Sequence, residues 1–137
     1  MTTIYAIGYA GKSLQEIRRH MESLDACLID IRYAPHSKNA EFQKKNLQTN
    51  LGPSHYLYLQ EFGNQNYKGN NHGSNDGIEL VDYETGKAKL IEFVTNDQKP
   101  NNAILLCGCR NASTCHRTYV LNRLEKDGFQ TQELEPG

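Results

Sequence analysis

Long hydrophobic runs are missing from this sequence: no apolar stretch approaches the ~20 residues needed to cross a bilayer. No basic and apolar segment near the start reads as a signal peptide either, so a cytoplasmic protein is expected. An excess of one charge sign is missing too. Fifteen Lys and Arg stand against sixteen Asp and Glu, a formal net charge of −1. That balance gives no general attraction to DNA or to a membrane, and any nucleic-acid contact must come from a local patch. Tryptophan is absent, and there are only four cysteines in 137 residues, with Cys27 far along the chain from the other three. In a reducing compartment that pattern reads as free thiols rather than a disulfide framework. Several chemical signatures are also lacking. Gly8 and Gly11 do not continue into a dinucleotide fingerprint, no GxxxxGK phosphate loop occurs, and no GxSxG elbow presents a nucleophilic serine.

The length suits one domain with a core that needs no disulfide or metal, spanning 1–137, and no internal repeat divides it. Strand and helix patterns alternate along it. Thr3 to Gly8 reads as a first strand; Ser13 and Glu16 then form a capping box ahead of a stripe of Leu14, Ile17, Met21 and Leu24. Ala26 to Arg32 is a nearly continuous apolar run ending in polar residues, the pattern of a strand covered on both faces. A second helix is expected from about Ala40 to Leu51 with Phe42, Leu47 and Leu51 inward, and a strand from His55 to Leu59. From Glu61 to Gly77 Gly and Asn dominate and no period survives, so a long flexible loop at about 61–77 is expected, a lid or plain disorder. A third helix follows from about Gly86 to Asn96. Ala103 to Cys107 reads as the fourth strand, Thr114 to Asp127 as the fourth helix with Gly128 as its stop, and Phe129 to Leu134 as a fifth strand.

Such alternation predicts an α/β fold, a single Rossmann-like three-layer α/β/α domain with a mainly parallel sheet of about five strands. Sites in these sheets lie beyond the carboxyl ends of the strands. That rule gathers Gly8 and Tyr9, Asp30 and Arg32, and Cys107 at one edge.

The richest stretch is Ile104 to Leu124, an apolar strand running into a thiol-rich, cationic turn and then a helix. Any one cysteine there can be a compact hydrophobe. As a cluster, Cys107 and Cys115 beside Arg110, His116 and Arg117 suggest thiols made reactive by positive neighbours and a helix N-terminus. His116 can shuttle a proton near neutral pH. Asp30 and Arg32 stand two residues apart and so share a face of their strand. They form a structural ion pair, or else Arg32 presents its fork to an anion while Asp30 orients it or takes a proton. Zinc is a low-ranked option, because Cys107, Cys109, Cys115 and His116 lack C-x₂₋₄-C knuckles and adjacent Cys115 and His116 would diverge by about 100° on a helix. The phosphatase pattern C-x₅-R is unmatched from Cys107, Cys109 or Cys115.

Taken together, IGYAGKSLQEI, LIDIRYAPHS with Phe42 after it, Tyr56 and Tyr58 ahead of a turn reading EFGN, and LLC followed by CHR resemble the bacterial family called domain of unknown function 488 (DUF488). The resemblance runs from Ile4 to about Leu134 and implies a Rossmann-like α/β domain without a settled activity. Position by position it places the family's recurrent polar residues on Asp30, Arg32, Ser37, Tyr56, Cys107, Cys115, His116 and Arg117. Two departures stand out: Cys109 occupies a place usually acidic in the family, and Asn64 and Gln65 replace a glycine pair. A weaker similarity is to single-domain rhodaneses, through IDIR and a strand ending in cysteine, but their compact C-x₄-R loop is absent.

These residues point to a small enzyme acting on an anionic substrate, nucleotide or nucleic-acid-derived. Its thiol-dependent site combines Cys107, Cys115, His116 and Asp30 as reacting groups with Arg32, Ser37, Tyr56, Arg110 and Arg117 as binding groups; no cofactor is expected. The alternatives are rhodanese-like sulfur transfer and a non-catalytic module in which Lys44, Lys45, Tyr56, Tyr58 and Tyr67 bind an anion or single-stranded nucleic acid.

Overall fold

The computed structural model describes residues 2–66, 77–96, 100–108 and 115–135. In chain order the elements are β1 (Thr3–Gly8), α1 (Leu14–Leu24), β2 (Ala26–Asp30), α2 (Lys44–Leu51), β3 (Tyr56–Tyr58), α3 (Tyr83–Val94), β4 (Asn102–Cys107), α4 (His116–Lys126) and β5 (Gln130–Glu133). The five strands form one sheet in the order β3-β2-β4-β1-β5, and every neighbouring pair is parallel. Among the described residues no helix is long and apolar enough to cross a membrane.

The pleat divides the core in two. Ile4, Ala6, Cys27, Ile29, Ala103, Leu105 and Cys107 face a layer that includes Leu90, Phe93, Val120 and Leu124 of α3 and α4. Ile7, Leu28, Ile104 and Leu106 face Leu14, Ile17, Met21 and Leu47 of α1 and α2. The result is the three-layer α/β/α domain that the alternation predicts. Every residue of β2 is buried, as the unbroken apolar run requires of an interior parallel strand. The edge strands β3 and β5 are only three and four residues long, which leaves little unpaired backbone to recruit another chain.

Local chemistry sets the ends of the elements. The Ser13–Glu16 capping box forms, with Ser13 Oγ accepting from the Glu16 amide at 3.2 Å and Glu16 Oε1 from the Ser13 amide at 3.3 Å. The helix expected over 40–51 is broken: Ala40–Phe42 is a 3₁₀ turn capped by the Asn39 side chain, and α2 starts only after Gln43. The strand reading of Ala26 to Arg32 runs two residues too far, because Asp30 turns its carboxylate back onto the Arg32 amide at 3.2 Å. The third helix begins three residues before its expected start, at Tyr83, where Asp82 caps the Thr85 amide at 3.2 Å. Part of the expected loop is well anchored. Phe62 is fully buried, and Asn64 Oδ1 accepts from the Asn66 and Glu79 amides at 3.0 Å each, so this asparagine organises the turn. The rest of that expected loop, 67–76, lies outside the described residues, as do Tyr67, Cys109 and Arg110.

Gly86 explains why helix propensity alone places the start of α3 too late. A Cβ there would stand 2.7 Å from the ring of Phe62, which is buried and stacked on Tyr83 with centroids 5.6 Å apart. Gly86→Ala raises intrinsic helix propensity by about 1 kcal/mol. It also forces a ring that has nowhere to go, at a cost of about 1–3 kcal/mol. The expected result is a lower Tm in thermal unfolding, and an unchanged or higher Tm would show that α3 does not pack on Phe62 in this way.

Candidate functional site

β2, β4 and β1 are adjacent and in register, with Asp30 opposite Leu106 and Gly8 opposite Cys107. The chain leaving each strand stays tied to the next: the Ile31 amide donates to Leu106 O at 3.1 Å and the Tyr9 amide to Cys107 O at 3.0 Å. Sequence-predicted site residues therefore collect at one edge of the sheet. They do not collect on one face. Side chains alternate along a strand, so Asp30 and Arg32 turn to the α1/α2 side while Cys107 turns to the α3/α4 side.

On the α1/α2 side the carboxylate of Asp30 is fully buried and receives four donors. Arg32 grips it with Nε on Oδ1 at 2.7 Å and Nη2 on Oδ2 at 2.6 Å; the Arg32 amide and the Tyr56 hydroxyl, at 2.6 Å from Oδ2, supply the others. Burial disfavours the Arg32 cation, but the bonds and charge of Asp30 outweigh it and hold Arg32 protonated far above any working pH. Burial, then the charge of Asp30 and its hydrogen bond, push the Tyr56 hydroxyl well above its ordinary range. Tyr9 closes the group: its hydroxyl lies 3.4 Å from Arg32 Nη1, and its ring stacks on Phe42 at 4.3 Å. With every oxygen of Asp30 satisfied and the fork of Arg32 taken, this arrangement is a structural ion pair anchoring the end of β2. Ser37 stands apart from both groups, and its hydroxyl accepts from the Asn39 amide at 3.1 Å as a turn residue.

On the α3/α4 side two sulfurs meet. Cys107 ends β4, Cys115 caps α4, and their Sγ atoms lie 2.8 Å apart with both residues fully buried. Arg117, itself fully buried, donates from Nη1 to Cys107 Sγ at 3.1 Å and from Nε to Glu133 Oε1 at 2.8 Å. Burial disfavours the Arg117 cation, yet the attraction of Cys107, Glu133 and Cys115 outweighs it and raises its pKa. That attraction is mutual, so the guanidinium favours the thiolate of Cys107. Cys115 Sγ accepts from the Arg117 amide at 3.5 Å, the unpaired N–H of a helix start. His116 Nε2 lies 2.8 Å from the carbonyl oxygen of Ile31, which can only accept. Nε2 therefore carries a proton, and the ring turns Nδ1 toward Cys115 Sγ at 3.8 Å. Among the described residues no group of three or more His, Cys, Asp or Glu side chains could hold a metal ion.

One contributor escaped the sequence reading. Glu133 lies on an edge strand whose QTQE pattern carries no chemical signal; only its register opposite Ala6 turns it toward Arg117. Tyr9, which the strand-end rule places at this edge, gains its role from its contact with Arg32. Three open clefts along the described residues have neither Cys107 nor Cys115 in their walls. One of about 390 Å³ at the amino edge is lined by Arg18, Glu22, Asp25 and His55 among others.

A parallel α/β domain with a thiol pair at its carboxyl edge is thus the class of protein that fold and geometry define. The family model described as Domain of unknown function DUF488 matches residues 17–124, and the chain belongs to that family. The match takes in Asp30, Arg32, Tyr56 and Cys107 through Arg117, and leaves out Tyr9 and Glu133. No curated protein and no solved structure matches the chain.

The buried phenol offers a direct check on the α1/α2 group. Tyr56→Phe removes a hydrogen bond to a charged acceptor and should cost about 1.5–3 kcal/mol at pH 7. Because the folded-state pKa of Tyr56 is raised, its contribution is intact below the unfolded value near 10 and is lost as pH climbs beyond it. Urea unfolding from pH 7 to 11 should therefore show the gap between wild type and Tyr56→Phe narrowing above pH 10. A gap that stays constant would mean that Tyr56 ionises alike in both states.

Proposed function

We propose that this protein is an enzyme whose reaction is carried by the Cys107–Cys115 thiol pair, with Cys107 as nucleophile, Arg117 as its positive partner and His116 as the base serving Cys115. The observation that carries this reading is the Arg117 guanidinium donating to a buried cysteine sulfur 3.1 Å away. A cation in a low-dielectric site stabilises a thiolate more strongly than it would in water. The base is also correctly set, since the carbonyl of Ile31 fixes the tautomer that leaves Nδ1 facing the thiol. In a reducing cytoplasm the pair rests reduced, without a disulfide, ready to react. Anion recognition finds less support in the two arginines, whose forks are engaged by Asp30 and by Glu133 and Cys107.

Iodoacetamide alkylation across pH 5–9, read by peptide mass spectrometry, tests the nucleophile. Cys107 should label on the order of ten-fold faster than Cys27 at pH 6, since Arg117 donates to Cys107 Sγ, whereas the Cys27 thiol, buried in β2, donates to Asn102 O at 3.4 Å. Arg117→Met keeps much of the volume and removes the charge, and should move the Cys107 profile to higher pH. Equal rates at Cys107 and Cys27 in the wild type would overturn the reading.

A second reading, the anion- or nucleic-acid-binding module, is favoured by a cleft of about 370 Å³ lined by Pro35, His36, Gln43, Lys44, Lys45 and Gln48. Neither lysine is ion-paired among the described residues; Lys44 lies over the Tyr58 ring, 4.6 Å from its centroid. The tyrosines are less free than the composition suggests. Tyr56 is buried on Asp30, and the Tyr58 hydroxyl donates to Tyr33 O at 2.7 Å. If this cleft binds nucleic acid, a fluorescent oligonucleotide should lose affinity steeply between 50 and 200 mM salt. Lys44→Ala/Lys45→Ala should flatten that salt slope; a slope the double variant leaves intact would remove these lysines from any such site.

A further inference from the structure

We infer that Cys107 and Cys115 form a peroxide-reactive dithiol, whose substrate is a hydroperoxide and whose product is an intramolecular disulfide. The inference rests on Cys107 being the nucleophile of the site described above, and goes further by naming the oxidant and assigning Cys115. Three observations converge. The sulfurs are already in contact at 2.8 Å, from residues eight apart that are held separately by a strand end and a helix cap. Both are fully buried, which slows a bulky electrophile relative to one as small as hydrogen peroxide. The group around them supplies what each step needs: a guanidinium on Cys107 to hold the thiolate and donate to the peroxide oxygens, and a ring nitrogen facing Cys115 to take its proton.

The chemistry balances without further parts. The Cys107 thiolate attacks one peroxide oxygen, the O–O bond breaks, and the departing hydroxide combines with the proton that Cys107 had shed, leaving a sulfenic acid and one water. Cys115 then gives its proton to His116 Nδ1 and attacks Cys107 Sγ. The S–O bond breaks, and the leaving hydroxide takes that proton from His116 as a second water. Two thiols lose two electrons in total, and the peroxide gains them. An external dithiol restores the resting state by exchange.

The test uses the full chain, reduced, freed of reductant and treated with stoichiometric hydrogen peroxide before free thiols are blocked with N-ethylmaleimide. Peptide mass spectrometry should find Cys107 and Cys115 joined, lighter by two hydrogen atoms than the reduced pair. In Cys115→Ser the sulfenic acid on Cys107 should persist and be captured by dimedone. Serine is a preferred helix cap, so the start of α4 is kept, which circular dichroism checks. Cys109→Ser should leave the cross-link unchanged. If dimedone traps Cys107 in the wild type as fully as in Cys115→Ser, Cys107 remains the nucleophile and the dithiol assignment falls. A cross-link running through Cys109 overturns it equally, as does one formed by glutathione disulfide but not by peroxide. If neither cross-link nor adduct forms at Cys107, the thiol reading itself falls too.

Discussion

Everything at the carboxyl edge of this sheet follows from the pleat. Successive side chains of a strand leave on opposite faces, so neighbouring β2 and β4 send Asp30 one way and Cys107 the other, although the ends of those strands are hydrogen-bonded together. One edge therefore carries two polar groups separated by a layer of backbone. A rule that assigns sites to strand ends locates the edge correctly and is silent about the face.

The two groups solve the same problem differently. Each buries a guanidinium, which is tolerated only where an anionic or strongly accepting partner replaces water. Arg32 finds a carboxylate two residues back at the end of β2, and Tyr56 completes the shell, so the pair is closed and its chemistry is spent on fixing the start of the 31–39 connection. Arg117 divides its donors between a carboxylate and a sulfur brought from β5 and β4. Sulfur is the weaker acceptor as a thiol and the better one as a thiolate, so the guanidinium of this second group favours the ionised form of its sulfur partner. That difference is why the thiol side carries the functional proposal and the carboxylate side does not.

His116 couples the sides. It opens α4 next to Cys115, yet its ring reaches the carbonyl of Ile31, the residue between Asp30 and Arg32. A shift at the end of β2 would thus be felt at the imidazole that faces Cys115. DUF488 membership covers the span in which these residues lie and brings no chemistry with it, so the argument for function stays with the geometry.

The alternation of elements, the capping box at Ser13, the buried run of β2 and the cysteine at the end of β4 were legible in the sequence, because each is written in neighbouring residues at a fixed period. The start of α3 was placed three residues late, since the Asp82 cap and the packing of Gly86 on the Phe62 ring are settled by tertiary contacts. Asp30 and Arg32 could be seen to share a face, but whether the fork of Arg32 was free depended on rotamers settled by burial and by Tyr56 arriving from β3. The thiol group shows the division most plainly. Composition and order supplied Cys107, Cys115, His116 and Arg117, whereas their contact with Glu133 and with one another, and their separation from Asp30, were decided by strand order and pleat. Those are long-range properties of a sheet, set by which strands pair and in what register, and no local window of sequence contains them.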